Sequence, residues 1–325
     1  MKTTAQTDKR NVLTPEALAM MDCIARTGSF AAAAREMGKV PSALTYSVRQ
    51  LEDTLDVLLF DRRSRQAQLT AAGQELLNEG RRLLQEIDAV ANRVRRVATG
   101  WETELTIAID DALARRALFE LFDDFYKLDA GDGTQGPPTR LKLRTEVLSG
   151  TWEALVSGQA DLAIGTPPQL PGSSVLCETL GDLELLFCVA PHHPLAAAEE
   201  PLTAAMLVDH RVVAVADTAR QLTPITAGIV PGQDVLTVPS MAVKLECILR
   251  GLGCGGIPAS MVQRHVEAGR LVVKSTFQGR RLAALHYAWR DSGQAPGKAL
   301  AWWLDRLKSP KTRQALLTQH EGLIL

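Results

Sequence analysis

No run of about 18 uncharged apolar residues interrupts the 325-residue chain, so no membrane-spanning helix is expected. The opening MKTTAQTDKRNVL lacks the apolar core of a secretory signal, and a cytoplasmic protein is expected. Cysteine is sparse: Cys23, Cys177, Cys188, Cys247 and Cys254 are odd in number and form no CxxC pair. Without an export signal they read as buried thiols rather than a disulfide set. The chain also has no GxSxG elbow, no HExxH and no phosphate-binding GxxxxGK[ST]. Ser149, His192, His193 and His286 are therefore not read as catalytic, and the adjacent His192 and His193 diverge on any regular element. No enzyme activity, metal or cofactor is expected.

A basic excess is missing too, since the net charge is −1. Its distribution is uneven. Residues 1–100 hold 15 Lys and Arg against 12 Asp and Glu, and the remainder holds 21 against 25. That permits, without showing, a nucleic-acid-binding end on an acidic body. A chain this long should divide into two or three folding units.

What is present in the first hundred residues is a series of helix boundaries. Thr14 fits an N-cap, Pro15 the first helical position, and Leu13 with Leu18 the hydrophobic staple of a helix running to about Arg26. Ser29 caps a short small-residue helix, Phe30 to Met37, which Gly38 ends. Pro41 opens a third helix in which Leu44, Val48, Leu51 and Leu55 fall in one narrow arc. Ser42, Thr45, Tyr46, Arg49 and Asp53 occupy the opposite arc. Two helices joined by a tight turn, the second with one apolar and one hydrogen-bonding face, make a helix-turn-helix whose second helix can enter a major groove. Two short extended runs follow, with Arg62, Arg63 and Arg65 at their tip, and read as a wing that reaches phosphates or a minor groove.

Thr70 can cap a long helix, Ala71 to about Ala98. Leu76, Leu83, Val90 and Val97 recur every seven residues, and Gly80, Ile87 and Val94 fill the alternate step. The stripe predicts pairing with the same helix of a second chain, through Leu76, Leu83, Ile87, Val90 and Val94. The competing reading packs this stripe on the chain's own second half.

As a set, Gly28-Ser-Phe-Ala-Ala-Ala-Ala34, Pro41-Ser-Ala-Leu-Thr45, Arg49-Gln-Leu-Glu52, Leu59-Phe-Asp-Arg62 and Leu69-Thr-Ala-Ala-Gly73 resemble, in order and spacing, the signature of the LysR-type transcriptional regulators. The resemblance implies a dimer or tetramer on double-stranded promoter DNA, a small-molecule effector, and RNA polymerase as a further partner. It places base reading at Pro41, Ser42, Thr45 and Tyr46, and backbone contacts at Ser29, Arg49 and Arg62. Many members have Arg at the place of Tyr46. Tyr lacks the bidentate contact that Arg makes to guanine, so a different operator preference is expected. Many have Ser or Thr at the place of Val40, which cannot cap; Pro41 offsets this in part by fixing φ and removing one unsatisfied N–H.

From Glu104 strand-like and helix-like segments alternate: a strand from Glu104, a helix over 111–128, a strand over 140–148, a short helix over 151–157 and a strand over 161–165. A second set starts at about Thr179, with strands over 183–190, 211–216, 235–238 and 254–257 and a helix over 240–250. The chain returns through 282–289 to a final helix over 296–317. This rhythm predicts parallel sheets with helices on both faces. The overall expectation is a multidomain α+β and α/β protein: a winged helix-turn-helix (1–70), a dimerising linker helix (71–100) and a periplasmic-binding-protein-like effector domain (101–325) of two doubly wound lobes. Lobe 1 is placed at 101–176 with 281–325, and lobe 2 at 177–280.

Ligands of such folds lie beyond the carboxyl ends of the strands. That rule selects Asp110, Ser149, Thr151, Trp152, Thr166, Thr218 and Ser240, with Trp152 as a stacking platform; for Ser240 and Thr151 a plain helix cap is the competing reading. The stretches 146–152 and 190–195, with Tyr46, look most like the branch of the family that regulates purine or allantoin metabolism, which implies a planar, nitrogen-rich effector. A redox-sensing regulator using a cysteine pair, or a ligand-binding protein without catalytic activity, are the alternatives, although no electropositive, exposed setting for a reactive thiol is legible.

Overall fold

The computed structural model describes residues 12–61, 67–129, 136–168, 175–291 and 293–319. The chain divides into two compact units between Val94 and Arg95, and each is described by itself.

In the first unit α1 (Pro15–Thr27), α2 (Phe30–Glu36) and α3 (Pro41–Leu55) follow the boundaries that their caps dictate. The Thr14 hydroxyl accepts from the Ala17 amide at 3.2 Å, and Ser29 caps α2. Gly28 and Gly38 turn the chain with φ of 66° and 64°, a region where a Cβ would be strained. Leu44, Val48 and Leu51 pack against Met20, Met21, Ile24, Ala33 and Ala34. Phe60 pairs with Leu69 in an antiparallel bridge, the base of the expected wing. Arg62, Arg63 and Arg65 lie outside the described residues.

The long helix α4 (Ala71–Thr99) starts from Thr70, whose hydroxyl accepts from the Gly73 amide at 3.0 Å. A Cβ on Gly73 would collide with the Leu59 carbonyl, so this glycine lets α4 meet the wing strand. One expectation for this helix needs correction. Leu76 packs against the core of the helix-turn-helix, Leu77 is buried, and a Cβ on Gly80 would lie 3.0 Å from Leu18. The first two turns of the stripe are thus used inside the unit, and among the described residues its large side chains from Leu83 onward are exposed. The heptad spacing is blind to that difference, because it fixes a face and not what covers it.

The second unit is built on a sheet in the order β2-β1-β3-β9-β4-β7, with β8 also paired to β4. Its strands are β1 (Glu104–Asp110), β2 (Arg140–Glu146), β3 (Leu162–Thr166), β4 (Val175–Val189), β7 (Gly255–Pro258), β8 (Val272–Val273) and β9 (Arg281–Arg290). A separate parallel pair, β5 (Val212–Val215) and β6 (Val235–Val238), joins β7 through a bridge from Val212 to Cys254. The helices are α5 (Arg115–Tyr126), α6 (Gly150–Val156), α7 (Ala204–Val208), α8 (Met241–Leu249), α9 (Ala259–Glu267), α10 (Lys298–Lys308) and α11 (Pro310–Thr318). One lobe holds the parallel strands β1, β2 and β3, the other β5, β6 and β7, and the antiparallel strands β4 and β9 run through both. This is the expected pair of doubly wound lobes. The core of the first centres on Ile107, Ile109, Phe125, Ile164, Tyr287 and Trp303, all fully buried.

The sequence reading did not expect α7, α9 or β8, and three of its boundaries differ substantially from the structure. β4 begins at Val175, so the lobe edge placed at 176/177 cuts through a strand; the register shift between β4 and β9 falls at Thr179/Gly181. The helix expected over 111–128 begins only at Arg115, because the Asp110 carboxylate accepts from the Ala112 amide and holds a turn there. The final helix is two helices: Pro310 has no N–H to continue α10, and Ser309 caps α11 instead.

Candidate functional site

On α3 the buried face anchors the helix and leaves Pro41, Ser42, Thr45, Tyr46 and Arg49 exposed. Val40 makes no cap and is itself exposed. The Thr45 hydroxyl donates to the Pro41 carbonyl at 3.0 Å, and the Tyr46 hydroxyl accepts from Gln50 Nε2 at 3.0 Å. Arg49 has neither an ion-pair nor a hydrogen-bond partner among the described residues. Ser29 stands at the start of α2, where its hydroxyl accepts from the Ala32 amide at 3.4 Å. One residue quoted in the motif proves more than a face-marker. Buried Glu52 accepts through Oε1 from the Leu59 amide at 2.8 Å and the Phe60 amide at 3.4 Å, which fixes the wing against α3. Glu52 stands seven residues before Leu59, and its burial leaves no local pattern in the sequence.

Along the linker helix, the seam side chains Leu83, Ile87, Val90, Val94 and Val97 are between 46% and 83% exposed. Such a row of large apolar residues is unusual for a helix in water unless something covers it.

In the second unit the strand-end residues selected from sequence separate into two groups, with Asp110 apart from both, buried and accepting from the Ala112 and Leu148 amides. Four are occupied structurally. Trp152 is buried and its indole N–H donates to the Pro167 carbonyl at 2.9 Å, so it offers no stacking face to a ligand. The Thr151 hydroxyl donates to the Leu148 carbonyl at 2.8 Å, neither a cleft donor nor a helix cap, and the Thr166 hydroxyl donates to the His286 carbonyl at 3.3 Å. Ser240 caps α8 by accepting from the Val243 amide at 3.3 Å.

The other group converges. Glu146, at the end of β2, accepts from the Thr218 hydroxyl at 2.7 Å, and that hydroxyl in turn accepts from the Val147 amide at 3.0 Å. Asp217 accepts from the Ser149 hydroxyl, from the Ser149 amide at 3.2 Å and from the Ile225 amide at 2.8 Å. Glu153 on α6 accepts from the amides of Arg220, Gln221 and Leu222 at 2.8, 2.7 and 3.0 Å. A Cβ on Gly150 would collide with the Thr218 hydroxyl. The segment after β5 is therefore latched onto the residues between β2 and α6. Asp111 adds a second tie, accepting from the Met241 amide at 2.6 Å at the start of α8. The sequence reading found Ser149 and Thr218 and missed Asp217, Glu146 and Glu153, whose partners lie about 70 residues away.

Electrostatics follow from these bonds. Burial alone would raise the Asp217 carboxyl, but the Ser149 hydroxyl and three amides hold it below its ordinary value; Glu153 behaves alike through its three amides. Asp110 goes the other way. It accepts from the amides of Ala112 and Leu148, both at 2.9 Å, yet complete burial pushes it up to about 7. The sign of the consequence is fixed. A carboxyl raised in the folded state contributes most below its unfolded value, about 4, and loses that contribution as pH climbs towards 7. Stability of this unit should therefore decline from pH 5 to pH 7 relative to an Asp110→Asn variant, within a ceiling of roughly 3 kcal/mol over that window. Thermal unfolding of both chains across that range checks it; parallel curves would contradict it.

Burial disfavours the thiolate at Cys23, Cys188 and Cys254. Burial pushes the Cys188 thiol up to about 12 and the Cys254 thiol up to about 11. Among the described residues no cluster of three His, Cys, Asp or Glu could hold a metal, and no helix is long and apolar enough to cross a membrane.

Two family models match this chain. Residues 15–74 match the bacterial regulatory helix-turn-helix protein of the lysR family, and residues 98–309 match the LysR substrate binding domain. The probable HTH-type transcriptional regulator YhaJ of Escherichia coli strain K12 is 40% identical over 297 residues, which cover 91% of this chain and 96% of that protein. Among solved structures, full-length CbnR complexed with its target DNA shares the fold with a TM-score of 0.58 at 17% identity, covering 91% of this chain and 99% of that one. Full-length LysG from Corynebacterium glutamicum with bound effector Arg has a TM-score of 0.50 at 21% identity, covering 94% and 99%.

Proposed function

Because this chain belongs to the LysR-type transcriptional regulators, with a DNA-binding helix-turn-helix and an effector-binding domain, we propose that its α3 face reads a specific operator and that a small effector governs this from between the two lobes. The exposed row Ser42, Thr45, Tyr46 and Arg49 on a helix held by a buried apolar face carries the reading. Ser42 and Thr45 supply hydroxyls for base edges, Pro41 sets the approach of the first turn, and Ser29 and Arg49 meet the phosphate backbone, joined by Arg62 and Arg63. Tyr46, tied to Gln50, favours a donor–acceptor contact or a thymine methyl over the bidentate guanine contact of an arginine. The protein acts as a dimer or tetramer through the exposed part of α4, and RNA polymerase is its partner at the promoter.

For the effector, the residues that support the reading are Ser149 and Thr218 with the carboxylates Asp217 and Glu146, which bond one another in the latch and which a ligand engages by exchanging those bonds. Acceptors of this kind suit a ligand rich in N–H donors, such as a purine or a related metabolite, even though Trp152 does not stack on it. The Ser42→Ala/Thr45→Ala double variant tests the central part. It should lose sequence-specific binding by about 10- to 1,000-fold while retaining salt-sensitive binding to arbitrary duplex. Unchanged discrimination between operator and competitor DNA in a mobility-shift titration would reject α3 as the reader.

A further inference from the structure

A cavity of about 410 Å³ opens in the second lobe, lined by Leu185, Phe187, Leu207 and Val230 and bounded by Lys274 and Arg281. None of Asp110, Ser149, Thr151, Trp152, Thr166, Thr218 or Ser240 lines it, so it is distinct from the cleft between the lobes. Its volume lies within the usual range of small-molecule sites.

The charges around it are unequal in their partners. Lys274 is satisfied: its ammonium donates to the Ala198 carbonyl at 2.7 Å and pairs with Glu200 at 2.9 Å. Arg280 pairs with Glu184 at 2.8 Å. Arg281 has no acceptor and no carboxylate partner among the described residues, though it is half-buried. Lys244, on α8, lies near enough to feel its charge and is likewise without a partner there, although it is only 6% exposed. Two neighbouring cations without an anion are an expensive arrangement in a protein interior. Burial first and Arg281 second bring the Lys244 amine down to about 8, and burial lowers Arg281 as well. Glycines make the space for both. A Cβ on Gly228, which lines the cavity, would collide with the Arg281 guanidinium, and one on Gly255 would lie 3.4 Å from the Lys244 ammonium.

We propose that this cavity is a second small-molecule site, one that takes an organic acid. The apolar body of the ligand lies against Leu185, Phe187, Leu207 and Val230, and its carboxylate binds the Arg281 guanidinium, with Lys244 adding its positive charge. Arg suits this role because its planar fork meets a carboxylate through two parallel hydrogen bonds. The missing anion of the pair is thereby supplied from solution.

The test uses the full-length protein in thermal-shift and calorimetric titrations with phenylacetate, 4-phenylbutyrate, inorganic phosphate and the uncharged phenylacetamide. Either phenyl acid should raise the unfolding midpoint of the parent saturably. Phenylacetamide should not, and phosphate, lacking the apolar body, should bind at least tenfold more weakly. An Arg281→Met variant should lose the acid response altogether. Without acid it should unfold at a midpoint higher by roughly 2–4 °C, since a like-charge repulsion has been removed. On the unaltered chain, phenylacetate should protect Arg281 from phenylglyoxal, as read by peptide mass spectrometry; this arm decides if the variant does not fold. No response of the parent to either acid, an equal response to the amide, or an equal response in Arg281→Met would each overturn the proposal. A phosphate response as strong as that of the acids would overturn the assigned ligand class.

Discussion

A Leu83→Asp/Val90→Asp chain is expected to sediment as a monomer and to bind operator DNA at least 100-fold more weakly than its parent. Both side chains stand in the exposed row on α4, so a carboxylate at either place meets water within the protomer and leaves its fold intact. In a helix pair the same two carboxylates face apolar residues and one another, and the seam opens. The loss on DNA follows from separating two reading heads: tethering one to the other raises the effective concentration at the second half-site, a gain of 10²–10⁴. A Leu76→Asp control separates this from general damage. Leu76 packs on the helix-turn-helix core, so that variant should unfold the first unit rather than dissociate a dimer. An intact dimer in Leu83→Asp/Val90→Asp by sedimentation velocity would place the interface elsewhere.

The Asp217→Ala variant is expected to release the latch between the segment after β5 and the residues between β2 and α6. Four donors lose their acceptor: the Ser149 hydroxyl and amide, the Ile225 amide, and the Ala219 amide at 2.8 Å. Part of that loss is recovered by water, because Ile225 is exposed, which leaves a cost of about 2–4 kcal/mol. Hydrogen exchange at residues 218–225 and at Ser149 should then accelerate by roughly 30- to 1,000-fold, while the sheet core is unchanged. The pH dependence carries a sign. Asp217 is held below its ordinary value, so the contribution of the latch is present above about pH 4 and disappears as the carboxylate protonates below it. The alanine variant has no such acid-sensitive step. Unaltered exchange in Asp217→Ala would show that the segment is held by other contacts.

How much of this was legible in the sequence depended on the range of the forces involved. Thr14, Pro15, Ser29, Gly38 and Pro41 act on their own neighbours, and the three helices they bound begin where the caps place them. The alternation of β1, β2 and β3 with helices was legible for the same reason, since the apolar periodicity of one element reports the face it buries. Trp152 was misread because a strand-end position says where a residue is and not which way its ring turns; its indole is drawn into the core by the Pro167 carbonyl. Leu76 shares a heptad phase with Leu83, and only the close approach of Leu18 at Gly80 distinguishes the covered turns from the uncovered ones. Asp217, Glu146 and Glu153 leave no local pattern, because each is satisfied by atoms distant in the chain. The break at Pro310 was available in principle and was overridden by the apolar periodicity on either side of it.

Selection of bound fragments from a random duplex library by the purified full-length chain tests the central claim most directly. The account predicts enrichment of one motif built from two half-sites of inverted orientation, spaced for a symmetric pair of recognition helices, and its loss when Ser42 and Thr45 are both alanine. Recovery of no motif, or of the same motif by the alanine variant, would contradict it.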